Sequence, residues 1–375
     1  MRRVSFLFLF FIAAVYSTAQ SNHEFRAVWI ATVDNIDWPS KKGIPVDSQK
    51  AEFIRILDLH KSNGMNAVIM QVRPATDAFY PSPYEPWSEW LSGVQGKPPS
   101  PYYDPLQFMI TETHKRNMEF HAWCNPYRAD FSIGKASIAP SHITRLHPQW
   151  FLDYGGKKYF DPGNKEAQAF VIEVIRDMTE RYDVDAIHFD DYFYPYDSYN
   201  GGADFPDDKS WSAYQNSGGK LSRADWRRES VNTFIERVYK VIKAEKKHVK
   251  FGLSPFGIWR PGYPESIEGY DQYDKLYADA KLWLNKGWID YFTPQLYWKV
   301  NTIPQSFPVL LNWWQSENTK GRHLWPGMSI RLGGDDKNVD EIVNQIMITR
   351  GIVPQSKGAV HWSIAGLVKH QLLRE

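Results

Sequence analysis

The sequence has a single cysteine, Cys124, so the chain cannot form an internal disulfide. A protein without disulfides must be held together by its hydrophobic core, which favours one large domain over a small cross-linked scaffold. An excess of positive charge is also missing, because 44 Lys and Arg residues face 43 Asp and Glu residues. Proteins that bind nucleic acid concentrate basic residues against the phosphate backbone. We therefore expect no nucleic acid partner, and the oligomeric state stays open.

Long apolar runs are absent except at the start of the chain. Two arginines follow Met1, residues 4–16 read VSFLFLFFIAAVY, and the small residues Ser17, Thr18 and Ala19 come next. This combination, with an apolar stretch too short to cross a bilayer comfortably, is typical of a secretory signal peptide. We predict that residues 1–20 are a signal peptide and that residues 21–375 form one domain. The protein is then secreted or periplasmic, with no stable membrane insertion after cleavage.

Several catalytic signatures are missing as well. The sequence has no Gly-x-Ser-x-Gly, no Gly-x-x-x-x-Gly-Lys and no glycine-rich dinucleotide fingerprint, which disfavours serine hydrolases, phosphate-loop proteins and dinucleotide-binding enzymes. It has no His-Glu-x-x-His and no His-x-His after the first predicted strand, so a catalytic metal is disfavoured. Hydrolysis by carboxylates needs no cofactor, and we predict neither a cofactor nor a metal.

Aromatic residues are plentiful instead, with 16 Trp, 21 Tyr and 21 Phe, many of them beside polar residues at the ends of apolar runs. Sugar rings present flat C–H faces that stack on aromatic rings, while their hydroxyls form hydrogen bonds. The composition therefore favours a carbohydrate ligand, here a polysaccharide substrate.

Short β-rich runs alternate with amphipathic stretches of helix length, which indicates a parallel sheet with crossover helices. Strands are predicted over residues 25–33, 66–73, 119–125, 185–190, 250–255, 290–297, 323–330 and 358–364. Helices are predicted over residues 48–63, 105–116, 165–182, 223–247, 270–286, 304–319 and 338–350. Eight alternating strands favour a (β/α)₈ TIM barrel with long loops at 74–103, 131–162 and 195–221, after strands two, three and four. Only residues 367–375 remain for the last outer helix, which we expect to be short or missing.

The predicted fourth strand carries the sharpest signal, the segment VDAIHFDDYFYP at residues 184–195. Side chains alternate along a strand, so His188 and Asp190 point into the barrel and Asp191 lies at its rim. Two adjacent carboxylates in a partly desolvated place cannot both ionise easily, so one pKa is displaced relative to the other. We predict that Asp190 and Asp191 are catalytic and that His188 and Tyr192 contact the substrate.

Neighbouring strand ends supply further candidates. Asp77 follows the predicted second strand as a second catalytic carboxylate, and Arg73, also a candidate for substrate binding, could hold Asp77 or one of the paired carboxylates. Carboxylates that compete with Asp77 by position are Asp34, Glu85, Asp130 and Asp161. Side chains predicted to bind substrate from the third and sixth strands and the loops above them are His121, Asn125, Tyr127, Arg128, Gln295, Tyr297 and Trp298. For Asn125 and Arg128 the partner is either a sugar hydroxyl or one of the paired carboxylates.

These segments resemble a known family, the glycosyl-hydrolase-like 10 family of bacterial exported proteins. The matching segments are RAVWI at 26–30, QVRP at 71–74, DAFYPS at 77–82, EPW at 85–87, HAW at 121–123, NPYR at 125–128, DPG at 161–163, HFDDYFYP at 188–195 and PQLYW at 294–298. They run in order across nearly the whole chain after residue 20. The resemblance implies a (β/α)₈ barrel, a role in the cell envelope and hydrolysis of β-linked amino-sugar glycans, with peptidoglycan strands as the leading substrate.

The resulting hypothesis is an exported glycoside hydrolase. Asp190 or Asp191 protonates the glycosidic oxygen, and Asp77 or the other member of the pair activates water or stabilises the cationic transition state. Alternatives are a barrel that binds glycan without catalysis, a hydrolase of dietary or capsular polysaccharide, and a metal-dependent deacetylase.

Overall fold

The computed structural model describes residues 24–135, 138–330 and 339–364. The predicted signal peptide and the short helix expected at residues 367–375 lie outside these described residues. Across the described part of the chain, no helix is both long and apolar enough to span a membrane.

Strands are short and mostly buried. Their bounds are β1 Phe25–Ile30, β2 Ala67–Arg73, β3 Glu119–Cys124, β4 Arg128–Asp130, β5 Phe151–Tyr154, β6 Lys157–Phe160, β7 Ala186–Phe189, β8 Lys250–Leu253, β9 Tyr291–Phe292, β10 His323–Leu324, β11 Gly327–Ser329 and β12 Gly358–Trp362. One parallel sheet has the order β10-β9-β8-β7-β3-β2-β1-β12-β11, and a small antiparallel sheet has the order β4-β6-β5. Consecutive parallel strands that are neighbours in space need helical crossovers, as the alternating pattern predicts.

The two edges of the parallel sheet belong to the same stretch of chain. β10 pairs with β9, and β11, which two residues separate from the end of β10, pairs with β12. Gly327 joins them across the gap, because its N–H donates to Pro294 O at 2.9 Å and its carbonyl accepts from Leu296 N at 2.9 Å. The sheet therefore closes on itself, and the predicted (β/α)₈ barrel is confirmed.

Helices surround the barrel and cover its loops. Their bounds are α1 Val46–Ser62, α2 Glu89–Ser92, α3 Pro105–His114, α4 Ile143–Leu146, α5 Lys165–Arg181, α6 Asp208–Asn216, α7 Arg223–Glu245, α8 Gln272–Lys275, α9 Ala280–Lys286, α10 Phe307–Glu317 and α11 Val339–Ile352. α5 shows how the sequence sets such a helix. The side chain of Asn164 caps it by accepting from the backbone N–H groups of Glu166 and Ala167, at 3.0 and 3.1 Å, and the helix buries one face against the sheet.

Two of the predicted elements that differ from the structure have a clear cause in the backbone. The helix expected at 270–286 is divided into α8 and α9, because Tyr277 has φ +51° and Asp279 caps a new helix by accepting from Leu282 N at 3.1 Å. The strand expected at 290–297 is reduced to β9, with an isolated bridge at Gln295, since Pro294 has no N–H to donate to a ladder.

Strands β5 and β6 lie inside the segment 131–162 that was predicted as a loop, and they form a small antiparallel sheet with β4, which lies just before that segment. Gly155 and Gly156, at φ +57° and +72°, make the turn between β5 and β6. A Cβ on Gly155 would lie 2.4 Å from the carbonyl oxygen of Tyr199, so a larger residue does not fit there. Two adjacent glycines between FLDY and KKYF are a hairpin signal that the sequence interpretation missed.

The lower part of the barrel interior is filled by a polar and aromatic cluster. The hydroxyl of Tyr291 is hydrogen bonded to Nδ1 of His121 at 2.9 Å and to Nδ1 of His188 at 2.8 Å. The Tyr291 ring has room only because position 252 is a glycine, where a Cβ would lie 1.9 Å from the ring. This contact sets how β8 and β9 pack at the base of the site.

We predict that Gly252→Ala lowers the free energy of unfolding by about 1–3 kcal/mol or more, because the added methyl collides with the buried Tyr291 ring. Urea unfolding followed by tryptophan fluorescence measures this change. Gly351→Ala in α11 is the matched control, since a Cβ there meets nothing within 4 Å. Equal stability of the two variants would contradict the packing argument.

Candidate active site

A cavity of about 570 Å³ opens at the carboxyl ends of the barrel strands. Barrels of this type place their active sites at this end, where the loops between strands and helices converge. Predicted site residues that line it are Arg128, Asp190, Asp191, Tyr192, Gln295 and Tyr297. The carboxylates of Asp190 and Asp191 are its acidic side chains among the described residues.

Asp190 follows β7 directly and is held by donors from β3. Its Oδ2 accepts hydrogen bonds from Nδ2 of Asn125 at 2.5 Å and from Nε1 of Trp123 at 3.2 Å. Its Oδ1 accepts only a long bond, from Tyr192 N at 3.3 Å. Of the two partners predicted for Asn125, a sugar hydroxyl or one of the paired carboxylates, the structure shows the carboxylate of Asp190.

A chain of amides fixes which atom Asn125 presents to Asp190. The backbone N–H groups of Thr32 and Val33 donate to Oε1 of Gln71, each at 2.9 Å. Gln71 must then use its Nε2 as the donor to Oδ1 of Asn125, at 2.6 Å. Because backbone N–H groups only donate, the orientation of both amides is determined, and Asn125 can offer only its NH₂ group to Asp190.

Asp191 is held by different partners. Its Oδ2 accepts a hydrogen bond from the Tyr196 hydroxyl, and the side chain of Gln295 also donates to this carboxylate. Gln295 is itself anchored by a 2.9 Å bond from its Nε2 to Ser254 O. Asp190 and Asp191 are thus adjacent in sequence but bound to separate sets of donors.

Burial displaces the pKa values of both carboxylates. Burial, with the charge of Asp191 as the second cause, raises the pKa of Asp190 to about 7. Burial also raises the pKa of Asp191, but the hydrogen bonds from Tyr196 and Gln295 oppose the rise. The arrangement therefore favours a protonated Asp190 beside an ionised Asp191 near neutral pH, which is the pairing of one acid with one carboxylate.

Three indoles line the floor of the cavity beside the carboxylates. Trp29 lies at the end of β1, Trp123 in β3 and Trp362 at the end of β12. Trp362 contacts the other two edge to face, at ring centroid distances of 6.2 and 6.1 Å. Flat apolar surfaces next to hydrogen-bonding carboxylates suit the faces and the hydroxyls of a sugar ring.

Asp77 does not lie in this cavity. It is buried in a separate cavity of about 260 Å³, where burial raises its pKa to about 7 and Ser88 and Gln95 donate to its carboxylate. Asp130, one of its competitors, lines the same second cavity. Asp77 therefore does not share a cavity with Asp190 and Asp191.

Arg73 also lies outside the active-site cavity. Its guanidinium is fully buried and forms a two-pronged ion pair with Glu85, with Nη2–Oε1 at 2.5 Å and Nε–Oε2 at 2.9 Å. Nη1 donates to the carbonyl oxygens of Asn125 and Pro126, at 2.5 and 3.2 Å. Arg73 holds neither Asp77 nor the catalytic pair. It fixes the segment after β3 that carries Asn125.

The two histidines lie below the cavity. His188 Nε2 is 3.2 Å from Nε1 of Trp29, which can only donate, so Nε2 accepts and the proton of a neutral His188 is on Nδ1. Burial, with a smaller effect of the charge of His121, lowers the pKa of His188 well below its ordinary value. The structure places His188 as a neutral support beneath Trp29, and His121 in contact with Tyr291 and Glu119.

Two further predicted binding residues are also removed from the cavity. Tyr127 is fully buried and packs on Phe234 at a ring centroid distance of 4.9 Å. Trp298 packs edge to face on Phe256 at a ring centroid distance of 5.7 Å and does not line the cavity.

Other cavity residues were not selected as site candidates from the sequence: Gln71, Trp123, Lys157, Tyr159, Tyr196, Ser254 and Trp362. Trp362 ends β12 and Ser254 directly follows β8, so their positions at the carboxyl ends of strands were a usable signal. Tyr196 lies in the loop after β7 and Lys157 in β6 of the small sheet, and no periodic sequence pattern marks either position. Among the described residues, no group of three or more His, Cys, Asp or Glu side chains is arranged to hold a metal ion.

A closed parallel barrel with an adjacent carboxylate pair in an aromatic cleft at its carboxyl end defines a class, the barrel glycoside hydrolases. Residues 24–346 match the family model described as Glycosyl hydrolase-like 10, and the chain belongs to this family. The prediction that the protein is a glycoside hydrolase is confirmed.

Relatives and solved structures agree with this class. The chain is 45% identical over 372 residues to glycosyl hydrolase YngK of Bacillus subtilis (strain 168), covering 95% of this chain and 71% of the relative. It is 35% identical over 346 residues to glycosyl hydrolase DigH of Escherichia coli (strain K12), covering 86% of this chain and 77% of the relative.

Two solved structures share the fold at low identity. The PgaB (BpsB) glycoside hydrolase domain from Bordetella bronchiseptica has a TM-score of 0.60 at 13% identity, over 94% of this chain and 98% of that chain. The catalytic domain of β-amylase from Paenibacillus polymyxa has a TM-score of 0.60 at 12% identity, over 93% of this chain and 94% of that chain. These similarities support the barrel fold alone.

The hydrogen bond from Tyr196 gives a prediction about pH. Removing this donor in Tyr196→Phe raises the pKa of Asp191 further, because the ionised form loses a charge-assisted bond. If Asp191 must be ionised, activity falls as the pH drops through the pKa of this group. A higher pKa therefore moves the acidic limb of the kcat/KM profile to higher pH, by about one unit.

Tyr199→Phe is the matched control, since the Tyr199 hydroxyl bonds to the hydroxyl of Tyr192 rather than to a carboxylate. We expect the acidic limb of the kcat/KM profile of Tyr199→Phe to lie at the same pH as in the unmodified protein. Unchanged limbs in both variants would show that Asp191 is not the group that must be ionised.

Proposed function

We propose that this protein is an exported hydrolase of amino-sugar glycans, with the glycan strands of peptidoglycan as its leading substrate. One observation carries the catalytic part of the proposal. The adjacent carboxylates of Asp190 and Asp191 are both buried, have separate donors and share one aromatic-lined cavity. Export is proposed from the basic and apolar start of the sequence, which has the pattern of a signal peptide.

Asp190 is the proposed proton donor. Burial and the charge of Asp191 raise its pKa to about 7, so a large fraction of the carboxyl group is protonated near neutral pH. Asn125 and Trp123 both occupy Oδ2, so the proton resides on Oδ1, the oxygen that the two side-chain donors leave open. From Oδ1 it is transferred to the glycosidic oxygen as the bond to the anomeric carbon breaks.

Asp191 is the proposed partner carboxylate. Hydrogen bonds from Tyr196 and Gln295 favour its ionised form and oppose the burial that raises its pKa. Its negative charge stabilises the positive charge that develops on the sugar ring in the transition state, and its oxygens can orient the attacking group. Fixed donors are important here because the carboxylate then needs little reorganisation during the reaction.

The floor of Trp29, Trp123 and Trp362 is the proposed platform for the sugar at the cleavage point. The Nε1 of Trp123 contacts Asp190, so a ring stacked on this indole lies beside the proton donor. Sugar hydroxyls can bond to polar side chains in the same cavity, among them Gln295, Ser254 and Tyr297. The glycan and the acid are thereby brought together by the same residues.

The proposal is tested by incubating the mature protein with intact sacculi and with peptide-free peptidoglycan strands, followed by mass spectrometry of soluble products. We expect oligosaccharides from the strands, and a roughly 10²–10⁴-fold lower rate for Asp190→Asn, which removes the proton donor. Asp191→Asn is expected to lose activity as well, because the partner carboxylate becomes neutral.

Asp77→Asn is the matched control, a buried carboxylate with a similarly raised pKa in a different cavity. We expect it to retain turnover. If Asp190→Asn and Asp191→Asn both cleaved glycan at the normal rate, the catalytic assignment would be wrong. Glycan binding without any product would indicate a barrel that binds glycan without catalysis. Products from another polysaccharide alone would show that peptidoglycan is not the substrate.

A further inference from the structure

We propose that Arg128 and Lys157 form an anion subsite in the active-site cavity that binds a carboxylate carried by a sugar of the substrate. On a peptidoglycan strand this group is the lactyl carboxylate of N-acetylmuramic acid. The inference rests on the proposed function for the identity of the sugar. The subsite itself is argued from the cavity.

Both cations come from the small sheet beside the barrel mouth. Arg128 begins β4 and is the register partner of Tyr159 in β6, and Lys157 lies two residues before Tyr159 on the same face of that strand. All three side chains line the cavity that contains Asp190 and Asp191. The small sheet therefore places two positive charges at one side of a cleft whose floor is aromatic.

Arg128 is buried, with 6% of its surface exposed, yet within the described part of the chain it has no carboxylate within ion-pair distance. Its Nε donates to Pro74 O at 2.8 Å, which uses one of its five N–H groups. The other fully buried arginines are different. Arg73 pairs with Glu85 at 2.5 Å and Arg227 with Asp207 at 2.6 Å. A buried guanidinium that faces a cavity without a paired anion is suited to receive one from a ligand.

Lys157 is held in place without being neutralised. Its Nζ donates to Phe131 O at 2.9 Å and lies 4.1 Å from the centre of the Phe131 ring. The guanidinium of Arg128 is 5.6 Å from the centre of the same ring, so both cations lie against one aromatic side chain. Burial and the charge of Arg128 lower the pKa of Lys157, as expected for two like charges that repel. A bound anion would relieve this repulsion.

A carboxylate fits this pair better than a neutral hydroxyl. The planar guanidinium offers parallel N–H groups to two carboxylate oxygens, and the ammonium adds a compact positive charge. When the lactyl group is joined to a peptide by an amide bond, it has no charge and gains much less from the subsite. The pair therefore selects the sugar whose carboxylate is free.

Arg128 also acts electrostatically on Asp190 and Asp191, where its charge lowers both pKa values. Substituting Arg128 would disturb the catalytic pair together with the subsite. Lys157 is thus the residue to change. Lys158 is its matched control, because it lies next in β6 and pairs with Asp153 away from the cavity.

The experiment measures binding by calorimetry with the Asp190→Asn protein, so that no cleavage occurs. One probe is a peptide-free tetrasaccharide of alternating N-acetylglucosamine and N-acetylmuramic acid, and the other is the same molecule with its carboxylates reduced to alcohols. We expect the acid form to bind about tenfold more tightly, the value of one charge-assisted hydrogen bond. Adding Lys157→Met should reduce this preference to about twofold, whereas Lys158→Met should keep it and Lys157→Arg should restore it.

Equal affinity for the two probes, an unchanged preference in Lys157→Met, or binding of neither probe overturns the subsite. Turnover by the unmodified protein is measured in parallel on both probes. Lack of cleavage of either probe contradicts the proposed function, whereas the ratio of affinities judges the subsite separately. The two failures are therefore distinguishable.

Discussion

Hydrogen bonds between Gly327 and residues 294 and 296 close the parallel sheet, and the active site depends on this closure. In a closed barrel the carboxyl ends of all strands face one opening, so residues from distant parts of the sequence must meet there. Asp190 after β7, Trp29 in β1 and Trp362 in β12 line one cavity for this reason. In a flat open sheet β7 and β12 would lie four strand positions apart, so Trp362 could not line the same cavity as Asp190.

The pair of adjacent carboxylates in the cavity illustrates how a fixed scaffold separates two chemically identical groups. Asp190 and Asp191 are neighbours in the chain, but Asp190 is held by donors from β3 and Asp191 by Tyr196 and Gln295. The orientation of Asn125 is traced through Gln71 to backbone N–H groups, which cannot reverse their role. Burial then makes two charges unfavourable, and the two environments decide which carboxyl group keeps the proton.

Charge is used in two ways around the cavity. Buried arginines such as Arg73 are neutralised by carboxylates and serve the scaffold, since an uncompensated charge in the core is costly. Arg128 and Lys157 have no such partner within the described residues, and they border the cavity instead. This contrast separates cations that stabilise the fold from cations that a substrate can engage. It also gives the small sheet a function beyond covering the barrel.

The sequence by itself determined the barrel, its strand order along the chain and the central carboxylates, because short β-rich runs alternate with amphipathic stretches of helix length and polar residues follow the strand ends. Tertiary structure decided which side chains share the cavity. Asp77 looked equivalent to Asp191 by position, yet the path of its loop carries it to a different cavity, while Tyr196 and Lys157 reach the site from segments without periodicity. Such contacts join residues far apart in sequence, so they depend on how loops pack and not on any local pattern.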